Sequence, residues 1–239
     1  MVVPIDETAF PAYALALHLL EADRIPFVVG GAWAVRQFAP PGRMTLDLDL
    51  MVEPPVLEQA LQTLTDAGGC LLGHDRIEVR LGFRGVEIDL VHHIAHGEYA
   101  VDSSWRAKAL PASLFGIPTR VAPPALLIWS KLFIAARHRF DGADILHLIH
   151  ADRQLIDWHD LLERLRPYPE LLLAYLHLFD FCYPGDRDRI PSWLWEALHS
   201  MTAVPRPSVG PRICRGPLLD SASFAFDGLA RGYQDASLH

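Results

Sequence analysis

The sequence predicts an α/β (α+β) protein, a mixed β-sheet flanked by helices with a C-terminal helical module behind it. Three observations carry this. Up to about residue 122, short apolar runs of strand length alternate with segments of helical period. From Pro123 the pattern becomes wholly helical, broken by Pro167, Pro169, Pro184 and Pro191. From Pro205 to Pro217 proline and glycine dominate. The expected divisions are 1–122, 123–204 and a C-terminal extension over 205–239, which suits one domain plus a smaller module.

Residues 7–24 read as a helix with Pro11 near its start and Leu15, Leu19 and Leu20 on its apolar face. Residues 26–29 form a short strand ending at Gly30-Gly31, after which the chain turns helical until Pro40-Pro41-Gly42 breaks it. Over 45–52 the period is two, placing Leu46, Leu48 and Leu50 on one face and Thr45, Asp47 and Asp49 on the other. A helix over 56–67 precedes strands at 70–73, 77–83 and 86–91, the last two joined by a tight turn at Arg84-Gly85. The second module reads as helices over 123–139, 141–151, 157–165, 170–182 and 191–201.

A net charge of −8 argues against broad nucleic-acid affinity, which rests on Lys and Arg neutralising phosphates, although Arg137, Arg139 and Arg153 offer a local basic patch. Three widely spaced cysteines without a CxxC pair argue against a disulfide framework or a thiolate zinc site and fit a reducing cytosol. No basic segment leads into an apolar stretch near Met1, and no run reaches the roughly 18 apolar residues of a membrane span. The expectation is a cytoplasmic protein without a membrane partner.

The chemistry-bearing pattern lies on the strand over 45–52. Side chains at i and i+2 project to the same side about 6–7 Å apart, so Asp47 and Asp49 can share two cations bridged by substrate phosphates. Carboxylates are the hard oxygen ligands Mg²⁺ prefers, and two Mg²⁺ about 3.5–4 Å apart stabilise both oxygens of an in-line displacement. A third carboxylate is wanted on a neighbouring strand. Asp89 fits by its alternation with Val86, Ile88 and Leu90, with Glu87 in reserve. Gly30-Gly31, between a strand and a helix, lets backbone N–H groups approach phosphate oxygens.

Gly30-Gly31, a helix, Thr45-Leu46-Asp47-Leu48-Asp49 and a later strand-borne Asp89 together resemble the glycine-pair and DxD signature of polymerase-beta-type nucleotidyltransferases. Within that superfamily, residues 43–49 with the downstream segment 123–147 are similar to bacterial minimal enzymes related to the nucleotidyltransferase subunit of abortive-infection toxin–antitoxin systems. The resemblance implies a nucleotidyltransferase domain that takes a nucleoside triphosphate, holds two Mg²⁺ on Asp47, Asp49 and Asp89, and releases pyrophosphate. It further implies phosphate contacts from Arg43, Thr45 and Lys131, ordering of the site by Asp141 and Asp144, and a partner protein encoded alongside. The acceptor is left open among an RNA 3′ end, a small molecule and a protein. A non-enzymatic regulatory protein on the same fold is the alternative.

Plainer readings stand beside several of these residues. Lys131 can snorkel from an apolar helix, and Asp141 and Asp144 can open the next helix as a cap and a dipole partner. His92, His93 and His96 form HHxxH and invite zinc, but no fourth ligand is evident, and a polar loop at the rim of the site is the better expectation. His159-Asp160 is the dipeptide of HD-type phosphohydrolases without their remaining ligands. The aromatics Trp158, Trp193 and Trp195 suit a helical core.

Overall fold

A computed structural model describes residues 7–40, 45–137, 139–151, 153–203 and 212–236. The chain divides into two compact units, Met1–Pro123 and Pro124–His239.

The first unit is mixed α/β. A 3-10 turn at Glu7–Ala9 leads into α1 (Phe10–Ala22), then β1 (Val28–Val29), α2 (Gly31–Phe38), β2 (Asp47–Met51), α3 (Leu57–Asp66) and β3 (Cys70–His74). The hairpin β4 (Glu78–Phe83) and β5 (Val86–Val91) turns at Arg84 and Gly85, both at positive φ, as the two-residue hairpin turn that matches strand twist requires. A small ladder of β6 (His93–Ile94) and β7 (Tyr99–Ala100) follows, then α4 (Ser103–Lys108), β8 (Leu110–Leu114) and β9 (Ile117–Val121).

Seven of these strands form one sheet in the order β3-β4-β5-β2-β1-β9-β8. The β2–β5 and β1–β9 pairs are parallel and the others antiparallel. Register brings Val29, Val121, Leu48, Leu50, Ile88, Leu90, Val79 and Leu81 to one face, all buried. Helices α1 and α3 pack against strands of this sheet and against each other. The buried stripe of α1 is Ala12, Tyr13, Ala16, Leu17 and Leu20, whereas Leu15 and Leu19 are only half-buried.

Two local expectations change. Leu46 lies before β2 and is 71 % exposed rather than joining Leu48 and Leu50 in the core. The hairpin β8–β9, which joins the sheet edge beside β1, was not expected from the sequence. Its signal is the Phe115-Gly116 turn, both residues at positive φ, between two short alternating runs.

The second unit holds α5 (Pro124–Leu132), β10 (Ala135–Ala136), β11 (Arg139–Phe140), α6 (Gly142–Ala151), α7 (Trp158–Arg164), α8 (Pro169–Cys182), α9 (Ser192–Ala203), β12 (Ile213–Cys214), α10 (Ser221–Arg231) and β13 (Gln234–Asp235). The helix expected over 123–139 stops at Leu132 and is followed by a reversal in which Ala135 pairs with Phe140. Ten residues of continuous helix would separate the backbones of Lys131 and Asp141 by about 15 Å, whereas the reversal brings the Lys131 ammonium to 2.7 Å from the Asp141 carboxylate. The proline- and glycine-rich tail contributes α10 and a short parallel ladder, β12 with β13. Trp158 and Trp195 are core residues of this unit.

Candidate functional site

The site is built where β2 and β5 lie side by side. Their parallel register sets Asp49 opposite Asp89 and Asp47 opposite Glu87, so the strand alternation that buries Leu48, Leu50, Ile88 and Leu90 turns the acids to the other face. Asp47, Asp49 and Asp89 each offer a carboxylate oxygen within 4.8 Å of the others. Among the described residues this is the one group of three or more His, Cys, Asp or Glu side chains so placed.

The three acids are not equivalent. Asp89 is 6 % exposed, and its Oδ1 has no hydrogen-bond partner. Burial, followed by the carboxylates of Glu78, Asp49, Asp47 and Glu87, pushes its pKa up to about 8. Asp47 is half-buried and accepts a hydrogen bond from the Thr45 hydroxyl on Oδ1. A buried carboxylate with an unpartnered oxygen, beside two further carboxylates, is the environment a divalent cation resolves, because the cation supplies both a partner and the missing charge. The residues present therefore fit a magnesium-type centre.

The glycine pair meets this cluster directly. Gly31 opens α2 at φ +53°, and a Cβ there would overlap Oδ2 of Asp49. A Cβ on Gly30 would lie 2.7 Å from the Met51 sulfur, and the Gly30 N–H donates to the Asp49 carbonyl at 2.9 Å. Glycine at 31 is thus required twice, by the left-handed backbone and by the carboxylate that occupies the place of its side chain. The N-terminus of α2, with its inward N–H groups and positive dipole end, is set beside the acids.

The other sequence-derived candidates fall as follows. Arg43 lies outside the described residues. Lys131, Asp141 and Asp144 belong to the second unit, where the Lys131 ammonium, 2 % exposed, lies 2.7 Å from Asp141 and 2.9 Å from Asp144. Burial would raise the Asp141 pKa, but Lys131 and the Arg139 guanidinium at 3.3 Å outweigh it and hold the group below its ordinary value. The Asp141 carbonyl opens α6, accepting from the N–H groups of Asp144 and Ile145. Glu87 pairs with Asp47 in register but stays outside the triad.

Of the three histidines of HHxxH, His93 lies in β6 and His96 in the turn that follows it. His92 is buried where β5 ends, its Nδ1 is 2.6 Å from that of His93, and its Nε2 has no hydrogen-bond partner. His159 stacks on Trp193 at 4.2 Å, and Asp160 is engaged by Arg164 at 3.0 Å, which separates the pair from any HD-type arrangement. Glu78, Tyr13 and Trp33 lie outside the sequence-derived candidates. Glu78 acts on Asp89 from β4, and the other two donate to the backbone beside Asp47. Strand parity placed Glu78 on this side of the sheet, whereas nothing local marked Tyr13 or Trp33.

Among solved structures, the chain is similar to the antibiotic-resistance factor ANT(2'')-Ia, with 15 % identity over 76 % of this chain and 96 % of that one and a TM-score of 0.48. It is similar to the lincosamide antibiotic adenylyltransferase LnuA, with 16 % identity over 58 % and 94 % of the two chains and a TM-score of 0.43. JHP933 from Helicobacter pylori matches at 15 % identity over 95 % and 99 %, with a TM-score of 0.39. No curated protein matches the chain in sequence. Residues 13–179 match the profile of the family described as "Uncharacterised nucleotidyltransferase". That match spans more than half of the 239 residues, and the chain belongs to this family of nucleotidyltransferases.

Proposed function

We propose that the protein transfers a nucleoside monophosphate from a nucleoside triphosphate to an acceptor hydroxyl or amine, with Mg²⁺ as cofactor and pyrophosphate as leaving group. The observation that carries this is the convergence of Asp47, Asp49 and Asp89, each with a carboxylate oxygen within 4.8 Å of the others, with one buried oxygen of Asp89 left without a hydrogen-bond partner. Two Mg²⁺ held by these three residues would neutralise the triphosphate and stabilise the attacking and leaving oxygens.

The chain's own contributions follow from the geometry. The N-terminus of α2, opened by Gly31, offers backbone donors to phosphate oxygens, while Gly30 makes the turn into it with its own N–H bonded to the Asp49 carbonyl. The Thr45 hydroxyl orients the Asp47 carboxylate. Asp89, opposite Asp49 on the neighbouring strand, is placed to accept the proton of the acceptor as the new bond to the α-phosphorus forms. The bond from the α-phosphorus to its bridging oxygen breaks, and that oxygen leaves with the electron pair on pyrophosphate. Lys131 is engaged by two carboxylates, which supports a structural role beside the start of α6 ahead of the phosphate contact that the resemblance implies. The net charge of −8 favours acceptors other than long nucleic acids.

The test is transfer of label from each of the four α-³²P nucleoside triphosphates in cell lysate, with and without Mg²⁺. Wild type is compared with the Asp47→Ala, Asp49→Ala double variant. A labelled product made only by wild type with metal is the expected result, and its nuclease or protease sensitivity assigns the acceptor class. Absence of label with every nucleotide would overturn the proposal.

A further inference from the structure

The ladder between β1 and β2 ends early. It pairs Val28 with Met51 and Val29 with Leu50, and its last backbone bond runs from the Gly30 N–H to the Asp49 carbonyl. Beyond that point the chain turns into α2. In a strand, carbonyls at i and i+2 point to the same side, so the Asp47 carbonyl faces the place where the next donor of β1 would have been. The indole Nε1–H of Trp33, two residues past the glycine pair, donates to that carbonyl at 3.0 Å. The Tyr13 hydroxyl of α1 donates to the neighbouring Leu46 carbonyl at 2.8 Å.

Both donors are fixed from behind. Trp33 packs edge-on against Phe10, Tyr13 and Phe115, with ring centroids 5.8, 5.9 and 4.8 Å away. The buried indoles of Trp158 and Trp195 have no hydrogen-bond partner for their N–H, so burial of an indole in this protein does not by itself bring an acceptor.

We infer that Trp33 is a positioning residue for the metal centre, its indole N–H replacing the missing strand donor and holding the Asp47 carboxylate in place. The physical need is clear: three carboxylates within 4.8 Å repel one another, and Asp47 stands at the first residue of β2, where backbone support from β1 has ended. A centre that must bind a cation without reorganising needs that repulsion resisted by the scaffold. The same side chain ties α2, whose N-terminus offers phosphate donors, to the strand that carries Asp47 and Asp49. The inference rests on the metal-holding reading of these acids.

The experiment is a Mn²⁺ titration followed by electron paramagnetic resonance, without nucleotide, on wild type, Trp33→Phe and the Asp47→Asn, Asp49→Asn double variant. Trp33→Phe keeps an aromatic ring in the cluster and removes only the N–H. The expected result is Mn²⁺ affinity weakened roughly three- to tenfold, the scale of one lost hydrogen bond. The Mg²⁺ requirement of transfer should rise in parallel while kcat at saturating metal is unchanged. Tyr13→Phe, which loses the hydroxyl alone, should shift affinity in the same direction by less and serves as the second variant if Trp33→Phe does not fold.

Wild-type Mn²⁺ affinity in Trp33→Phe, or a lowered melting temperature with unchanged affinity, would overturn the positioning role while leaving the site intact, provided the double variant has lost the metal. Equal binding by wild type and the double variant, or no binding by wild type, would instead overturn the site and the positioning role with it.

Discussion

The protein gathers aspartates around a buried carboxylate twice, and the two groups are electrostatic opposites. On the β2–β5 face, Asp89 sits among Asp47, Asp49, Glu78 and Glu87, and burial together with these charges drives its pKa up to about 8. In the second unit, Asp141 and Asp144 close on Lys131 at 2.7 and 2.9 Å, with Arg139 beside Asp141, and the Asp141 pKa is held below its ordinary value. The second cluster contains its own cation and is complete. The first leaves Asp89 Oδ1 without a partner and fits a cation from outside. Residue type alone does not separate a structural acid from a ligand; the sign of the surrounding charge does.

The largest expected effect tests the completed cluster. Lys131→Met leaves two carboxylates buried without their cation and should cost about 3–5 kcal/mol of stability, read by urea unfolding. A stability within error of wild type would show that the pair is dispensable and blur the contrast. The mirror test is Asp49→Asn. Transfer should fall by more than about a hundredfold, the upper range for loss of a residue that merely supports a metal ligand, while the urea midpoint holds or rises as repulsion is relieved. A large loss of stability instead would mean that these acids are structural.

Gly31→Ala should act on both quantities. The new Cβ displaces the Asp49 carboxylate, so Mn²⁺ affinity should drop about 10- to 100-fold, and the positive φ should add roughly 1–3 kcal/mol of strain. Metal binding like that of wild type would show that Asp49 has room to move.

The smallest effect is in pH. Because the folded-state pKa of Asp141 lies below its unfolded value, the group contributes stability above the unfolded pKa and loses it as pH falls through the folded one. The stability gap between wild type and Asp141→Asn should therefore be widest near neutrality and narrow below about pH 4 in denaturant titrations. A gap independent of pH would contradict the ion pair.

The sequence by itself determined what depends on local period and local sterics. Alternation over 45–52 and 86–91 set aspartates apart from leucines, and Gly30-Gly31 marked a strand-to-helix turn. Arg84-Gly85 marked the hairpin. These follow from geometry within a few residues, which is why the three acids could be named in advance.

What the tertiary structure alone decided is adjacency. That β2 and β5 are parallel neighbours, with Asp49 opposite Asp89, depends on a pairing forty residues apart in the chain that periodicity does not encode. The break of α5 at Leu132 was hidden because residues 123–139 read as one helix, and the contact of Lys131 with Asp141 that a continuous helix could not make exists only once the chain reverses. Trp33 was invisible for the same reason: an indole on a helix reads as core, and its N–H acquires a purpose only once β1 ends and leaves the Asp47 carbonyl within its reach.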